Sequence, residues 1–159
     1  MKKICLGGII VTLLILSIAT VQGDVLISEV MYDVGSSQGG DFNEWIELYN
    51  NGTSEVDLTG WKINDIAFSA ITIGVDEYIV VAEDLTGRFD EYFSNNDTVW
   101  DSNDAFNATD SSALSFDDSS DKVNITNSTG DLIDVMSYDS SLGADGDGKT
   151  LERRNFISN

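Results

Sequence analysis

The sequence contains no histidine and no proline, and its single cysteine, Cys5, stands near the start. Each absence closes off some chemistry. Without histidine there is no Ser-His-Asp triad and no imidazole-ligated zinc site. Cys5 lies inside an apolar run, so the rest of the chain has no disulfide, no thiolate metal site and no cysteine nucleophile. Basic residues are scarce too: 8 Lys and Arg stand against 28 Asp and Glu, a net charge of −20. Such a surface repels phosphate backbones and anionic headgroups, which argues against a nucleic-acid partner. It favours solubility and attracts cations. Carboxylate chemistry survives these exclusions, either as a glycosidase pair or as an oxygen-only calcium or magnesium site.

The chain opens MKKICLGGIIVTLLILSIATVQGD. Lys2 and Lys3 form a basic head, residues 4–19 an apolar run, and Val21-Gln22-Gly23 a set of residues suited to cleavage before Asp24. The reading is a signal peptide over residues 1–23, with an uncleaved N-terminal anchor as the competing one. Either way residues 24–159 are expected to be secreted or held at the cell surface, with membrane contact only through a retained N-terminal segment. Cleavage removes Lys2 and Lys3 but no acid, taking the net charge to −22.

Beyond the leader the pattern is of short strands. VLISEVMY (25–32) is apolar and β-branched, and GSSQGGD (35–41) breaks it. In EWIELYN (44–50), Ile46 and Leu48 share a face with Glu44, while Trp45, Glu47 and Tyr49 share the other. Asn51-Gly52 reads as a hairpin tip. Strands are expected at 54–58, 61–63, 67–73 and 77–83, the last two joined by Gly74-Val75-Asp76. A short helix is expected over 85–93, where Leu85, Phe89, Tyr92 and Phe93 have helical spacing. Residues 94–121 read as a long Ser-, Asn- and Asp-rich loop with a short strand near 114–116. A hairpin of 122–126 and 132–138, a Gly/Asp-rich loop and a last strand at 149–156 complete the chain. About eight short strands argue for an all-β, antiparallel sandwich.

VLISEVMYD, EWIELYNNGTSEVDLTGWKI, EYIVVAED, DKVNITNSTGDLIDVMSY and GADGDGKTLERR, in that order, resemble the lamin-tail domain from about residue 25 to about 154. The resemblance implies an immunoglobulin-like sandwich over 24–159 that acts as a non-catalytic binding or scaffolding module. Its implied partners are proteins, glycans or components of the cell envelope. Exported relatives often sit beside hydrolase or nuclease domains, so one alternative is an accessory fragment of a larger secreted hydrolase or nuclease; another is a calcium-dependent binding protein. Relatives commonly continue past the LER strand into a tail with tryptophan and proline. This chain stops at Asn159, which leaves either a shorter last strand or a truncated domain as readings.

Several residues are candidates for a site. Glu44 and Glu47 are three apart in a strand, so they face opposite ways and cannot act as an acid/base pair. Glu29 and Glu47 can meet if their strands are neighbours; the structural alternative is a half-buried acceptor for backbone amides. Asp145 and Asp147, near Asp139 and Glu152, are calcium candidates, but an EF-hand alignment puts Gly143 first and Arg154 twelfth and fails. A plain turn competes with calcium there. Asp101, Asp104, Asp110, Asp117, Asp118 and Asp121 read as solvated loop acids. Trp61 is expected to close the core, and Trp100 to tether the long loop. Trp45, Glu47 and Tyr49 form either a packed face or a partner-binding strip. Asn51, Asn96, Asn107, Asn124 and Asn127 each open an Asn-X-Ser/Thr acceptor for glycosylation, with Asn124, inside a strand, the poorest.

Overall fold

The computed structural model describes residues 25–68, 70–82, 105–107 and 114–154. The expected leader, the helix over 85–93, Asn96 and Trp100 lie outside them. Among the described residues there are eleven strands: β1 (Val25–Met31), β2 (Trp45–Asn50), β3 (Val56–Asp57), β4 (Lys62–Ile63), β5 (Ile66–Ala67), β6 (Thr72–Ile73), β7 (Tyr78–Ala82), β8 (Ala105–Asn107), β9 (Ser120–Thr126), β10 (Leu132–Asp139) and β11 (Leu151–Glu152). A five-stranded sheet runs β11-β1-β2-β7-β8, a four-stranded sheet runs β10-β9-β4-β5, and β3 pairs with β6 alone.

The core lies between the two larger sheets. From the first come Val25, Ile27, Val30, Ile46, Leu48, Ile79 and Val81; from the second, Ile63, Val123 and Ile125. In β2 the buried residues alternate with half-buried ones, as a strand with one face on a core requires. In β1 the parity changes: Val25 and Ile27 point inward, then Val30 and, just past the strand, Tyr32. A register shift against β2 between Ile27 and Glu29 makes the switch, with Ser28 as the extra residue. The β10–β9 pairing has a similar shift between Leu132 and Asp134, which leaves Asp134 opposite the fully buried Ile125.

Several sequence expectations change. Asn51-Gly52 is not a hairpin tip, because β2 pairs with β1 and β7 while β3 pairs only with β6. The buried Asn50 side chain shapes this crossing between sheets. Its Oδ1 accepts from Gly52 N at 2.9 Å, and its Nδ2 donates to the carbonyls of Ser54 and Ile73 at 2.8 and 3.1 Å. The strand expected over 67–73 is split: β5 closes a hairpin on β4, and β6 joins β3. Gly74-Val75-Asp76 therefore carries the chain between sheets as well. No strand forms at 114–116; Leu114 and Phe116 plug the core instead. The edge strand is β8, which runs parallel to β7. A parallel neighbour needs a long connection, and 22 residues separate β7 from β8 in the sequence. Trp61 packs against the core, as expected.

Two tyrosines join the sheets at one end. Tyr32 and Tyr138 stack with ring centroids 4.2 Å apart. Tyr32 donates to the Gly143 carbonyl at 2.5 Å and Tyr138 to the Asp117 carbonyl at 2.8 Å. Burial is the main cause that raises the pKa of both phenols, so neither ionises in the ordinary tyrosine range.

A candidate binding face on the five-stranded sheet

The outer face of the five-stranded sheet carries Trp45, Glu47 and Tyr49, all half-buried. The register sets their neighbours. Across from Tyr49 stand Leu26 on β1 and Tyr78 on β7; across from Trp45 stand Met31 and Ala82. Leu26, Met31, Val80 and Ala82 are buried, so the face is covered near Trp45 and opens towards Tyr78. Tyr78, 45% exposed, stacks on Tyr49 with centroids 4.3 Å apart and an interplanar angle of 21°. The Tyr49 hydroxyl donates to Asp76 Oδ1 at 3.0 Å, and this bond raises the phenol pKa. Asp76 holds φ at +58°, a left-handed backbone that asparagine, aspartate and glycine tolerate best. Val75, 47% exposed, stands beside it in the same turn. The result is an exposed aromatic and apolar corner with a carboxylate at its rim.

A row of acids crosses the same face. Glu47 on β2 is opposite Glu29 on β1, which is opposite Glu152 on β11. Glu29 and Glu47 thus meet, as neighbouring strands allow. Both carboxylates are engaged by hydroxyls. Ser28 Oγ donates to Glu47 Oε1 at 2.6 Å, and Thr150 Oγ1 donates to Glu29 Oε1. Desolvation raises the pKa of Glu47 most, the Ser28 bond opposes that, and the charges of Glu29 and Glu152 raise it further. Glu44 is separate and buried, and its Oε2 accepts from Phe116 N at 2.9 Å. It fills the role of buried acceptor for a backbone amide.

Asp145 and Asp147 lie on an exposed loop. Asp147 pairs with Lys149 through both the side-chain ammonium and the backbone N–H. Among the described residues no three acidic side chains are grouped so as to hold a metal ion. Asn51 stands in the crossing between sheets, Asn107 in β8, and Asn124 in the middle of β9. The Asn127 side chain builds the β9–β10 turn: its Oδ1 accepts from Thr129 N, Thr129 Oγ1 and Asp131 N, and its Nδ2 donates to Asp131 Oδ2 at 3.1 Å.

Sequence reasoning missed Tyr78 and Asp76, which complete the corner, because nothing local shows that β7 lies beside β2. It also missed Asp134 and Arg153. Arg153 Nη2 meets Asp134 Oδ2 at 2.7 Å, and Arg153 Nε donates to the Ile27 carbonyl at 2.7 Å. The available signal was a charged residue at an inward position of the apolar strand LIDVMSY.

The model of one protein family, described as Lamin Tail Domain, matches residues 19–140. No curated protein matches the chain. The family match ends before β11, yet β11 pairs with β1 at Glu29–Glu152 and Val30–Leu151 and extends the same sheet. With most of its length matched and two strand layers packed on one core, the chain belongs to the lamin tail domain family and has that family's immunoglobulin-like fold.

Proposed function

We propose that this domain is an exported, non-catalytic binding module that engages a protein or glycan partner of the cell envelope. The contact is the open end of its five-stranded sheet. The observation that carries this reading is the Tyr49–Tyr78 stack, with Tyr78 exposed and Asp76 at its rim. Stacked aromatic rings give a rigid apolar platform at low entropic cost, and the carboxylate and phenol add directional hydrogen bonds. The covered apolar residues nearby and the Asp76 bond hold the platform in place before a partner arrives.

The non-catalytic part of the reading is supported by what the acids do. Glu47 and Glu29 are hydrogen-bonded to Ser28 and Thr150 on a sheet face, and Glu44 accepts a backbone amide. The test is co-sedimentation of the exported protein with envelope fragments from its source, comparing wild type with Tyr78→Ala. Binding that drops about tenfold, the scale of one aromatic hot spot, supports the reading; equal binding by both proteins removes it.

A further inference from the structure

The charge around the Tyr49–Tyr78 corner is of one sign. Asp76 accepts the Tyr49 hydroxyl, so its carboxylate sits at the edge of the stacked rings. The residue is exposed, and a carboxylate has room for further donors beside that one bond. Tyr49 covers one face of the Tyr78 ring, yet Tyr78 is 45% exposed, and Val75 in the same turn 47%. Further along the same face comes Glu47, with Glu29 and Glu152 across the strands from it. The charges of Glu29 and Glu152 raise the Glu47 pKa, so this row acts as a local negative field. The basic side chains stand apart from the corner. Among the described residues, Lys62 and Lys122 are on the four-stranded sheet, Lys149 pairs with Asp147, and Arg153 pairs with Asp134. Arg154 follows β11, three strands from β7 in the sheet order, or about 14 Å at the usual strand spacing. That exceeds the screening length of roughly 10 Å in 0.1 M salt.

We propose that the corner takes a cationic side chain of a protein partner, arginine in preference to lysine, stacked on Tyr78 and bonded to Asp76. This rests on the reading of the corner as the partner contact, and it narrows that partner to a protein with an exposed basic side chain. The face of a tyrosine ring is electron-rich and attracts a cation held over it. A guanidinium is planar, so it lies on the ring while its N–H edge donates to the carboxylate. The aliphatic stem of the same side chain would run over Val75. A neutral sugar would use the ring face but gain nothing from the charge of Asp76. The substitution Asp76→Asn separates the two cases. Asparagine also tolerates the left-handed backbone at this position and still offers an oxygen to the Tyr49 hydroxyl. The turn and the stack persist, and only the charge is lost.

The test is co-sedimentation of the full protein with envelope fragments, comparing wild type, Asp76→Asn and Tyr78→Ala, each with its melting temperature checked. The competitors are arginine and citrulline, both capped at amine and carboxyl and compared at equal ionic strength. Citrulline has nearly the shape of arginine but no charge. Asp76→Asn should bind about tenfold more weakly than wild type, the scale of a charge-assisted contact on an aromatic face. Capped arginine should release the wild-type protein at a concentration at least tenfold lower, on the same scale, than capped citrulline does. Binding lost in Tyr78→Ala but kept in full by Asp76→Asn would overturn the cation and leave the corner as a contact of another kind, a glycan among them. Equal release by the two competitors would overturn it as well. Equal binding by all three proteins would remove the corner reading itself and this inference with it. If Asp76→Asn lowers the melting temperature, the two competitors on wild type decide the matter.

Discussion

Asp134, on β10, and Arg153, the residue after β11 of the other sheet, meet at 2.7 Å. The same carboxylate oxygen accepts the Ile27 backbone N–H at 2.8 Å, and Arg153 also binds the Ile27 carbonyl. The bulge at Ser28 is what leaves these groups of β1 turned towards the pair, and Ser28 O in turn accepts from Arg153 N at 2.8 Å. Two bulged strands and the end of β11 are thereby tied at one point.

Asp134→Ala removes the acceptor from both a partly buried guanidinium and a backbone amide. It should cost about 3 kcal/mol, the low end for breaking a buried pair, because Arg153 keeps some exposure. Urea unfolding measures the loss. The double variant Asp134→Leu/Arg153→Met should recover part of it, whereas a double variant as unstable as the sum of two single losses would contradict a coupled pair.

Glu47 supplies a pH dependence with a definite sign. Its pKa is raised on folding, so the native state holds the proton more tightly than the unfolded chain. The stability it contributes is present below its unfolded value and is lost as pH rises through the raised native one. Glu47→Gln keeps an acceptor for Ser28 and removes the charge. The variant should therefore melt higher than wild type at neutral pH, with the difference shrinking in acid. A difference that widens in acid would reverse the assignment.

Gly35 and Gly146 touch through their backbones. A Cβ at Gly35 would stand 2.9 Å from the Gly146 carbonyl oxygen, against main chain that has little room to yield. Gly35→Ala should destabilise by about 1–3 kcal/mol, the range for overpacking, read from a thermal or urea melt. An unchanged midpoint would show that the two loops slide past each other freely.

The same loop bears on calcium. Asp147 is already paired with Lys149, and Asp145 stands on an open turn. Thermal melts in millimolar calcium and in chelator should coincide. A rise of several degrees with calcium, abolished by Asp145→Asn, would restore a cation to the site.

Asn127 is expected to act as a turn-builder. Asn127→Ala takes away the acceptor for three donors in the β9–β10 turn and should cost about 1–2 kcal/mol in protein made without glycosylation. No loss there would mean that the turn is set by the backbone of Gly130, which holds a positive φ.

The strands that were legible in the sequence are those with a local signature. Alternation places β2, and the β9–β10 hairpin is announced by a turn between two apolar runs. What was not legible is which strand lies beside which. Asn51-Gly52 has the composition of a hairpin turn, but the side chain of Asn50 directs it across to another sheet. The Tyr49–Tyr78 stack and the Asp134–Arg153 pair both depend on neighbours 29 and 19 residues apart, contacts that only the folded chain makes. The bulges at Ser28 and Ile133 change strand parity without a glycine to mark them. The face of Trp45, Glu47 and Tyr49 was visible as a face, but its covered and open ends were not.

The most direct test of the account is a binding isotherm for wild type, Tyr78→Ala and Tyr49→Phe on one purified envelope fraction, with the fold of each checked by its melt. Tyr78→Ala should bind weakest, by about tenfold. Tyr49→Phe keeps the stacked ring but loses the hydroxyl bond to Asp76, and should fall between the other two. Three superimposable isotherms from folded proteins would contradict it.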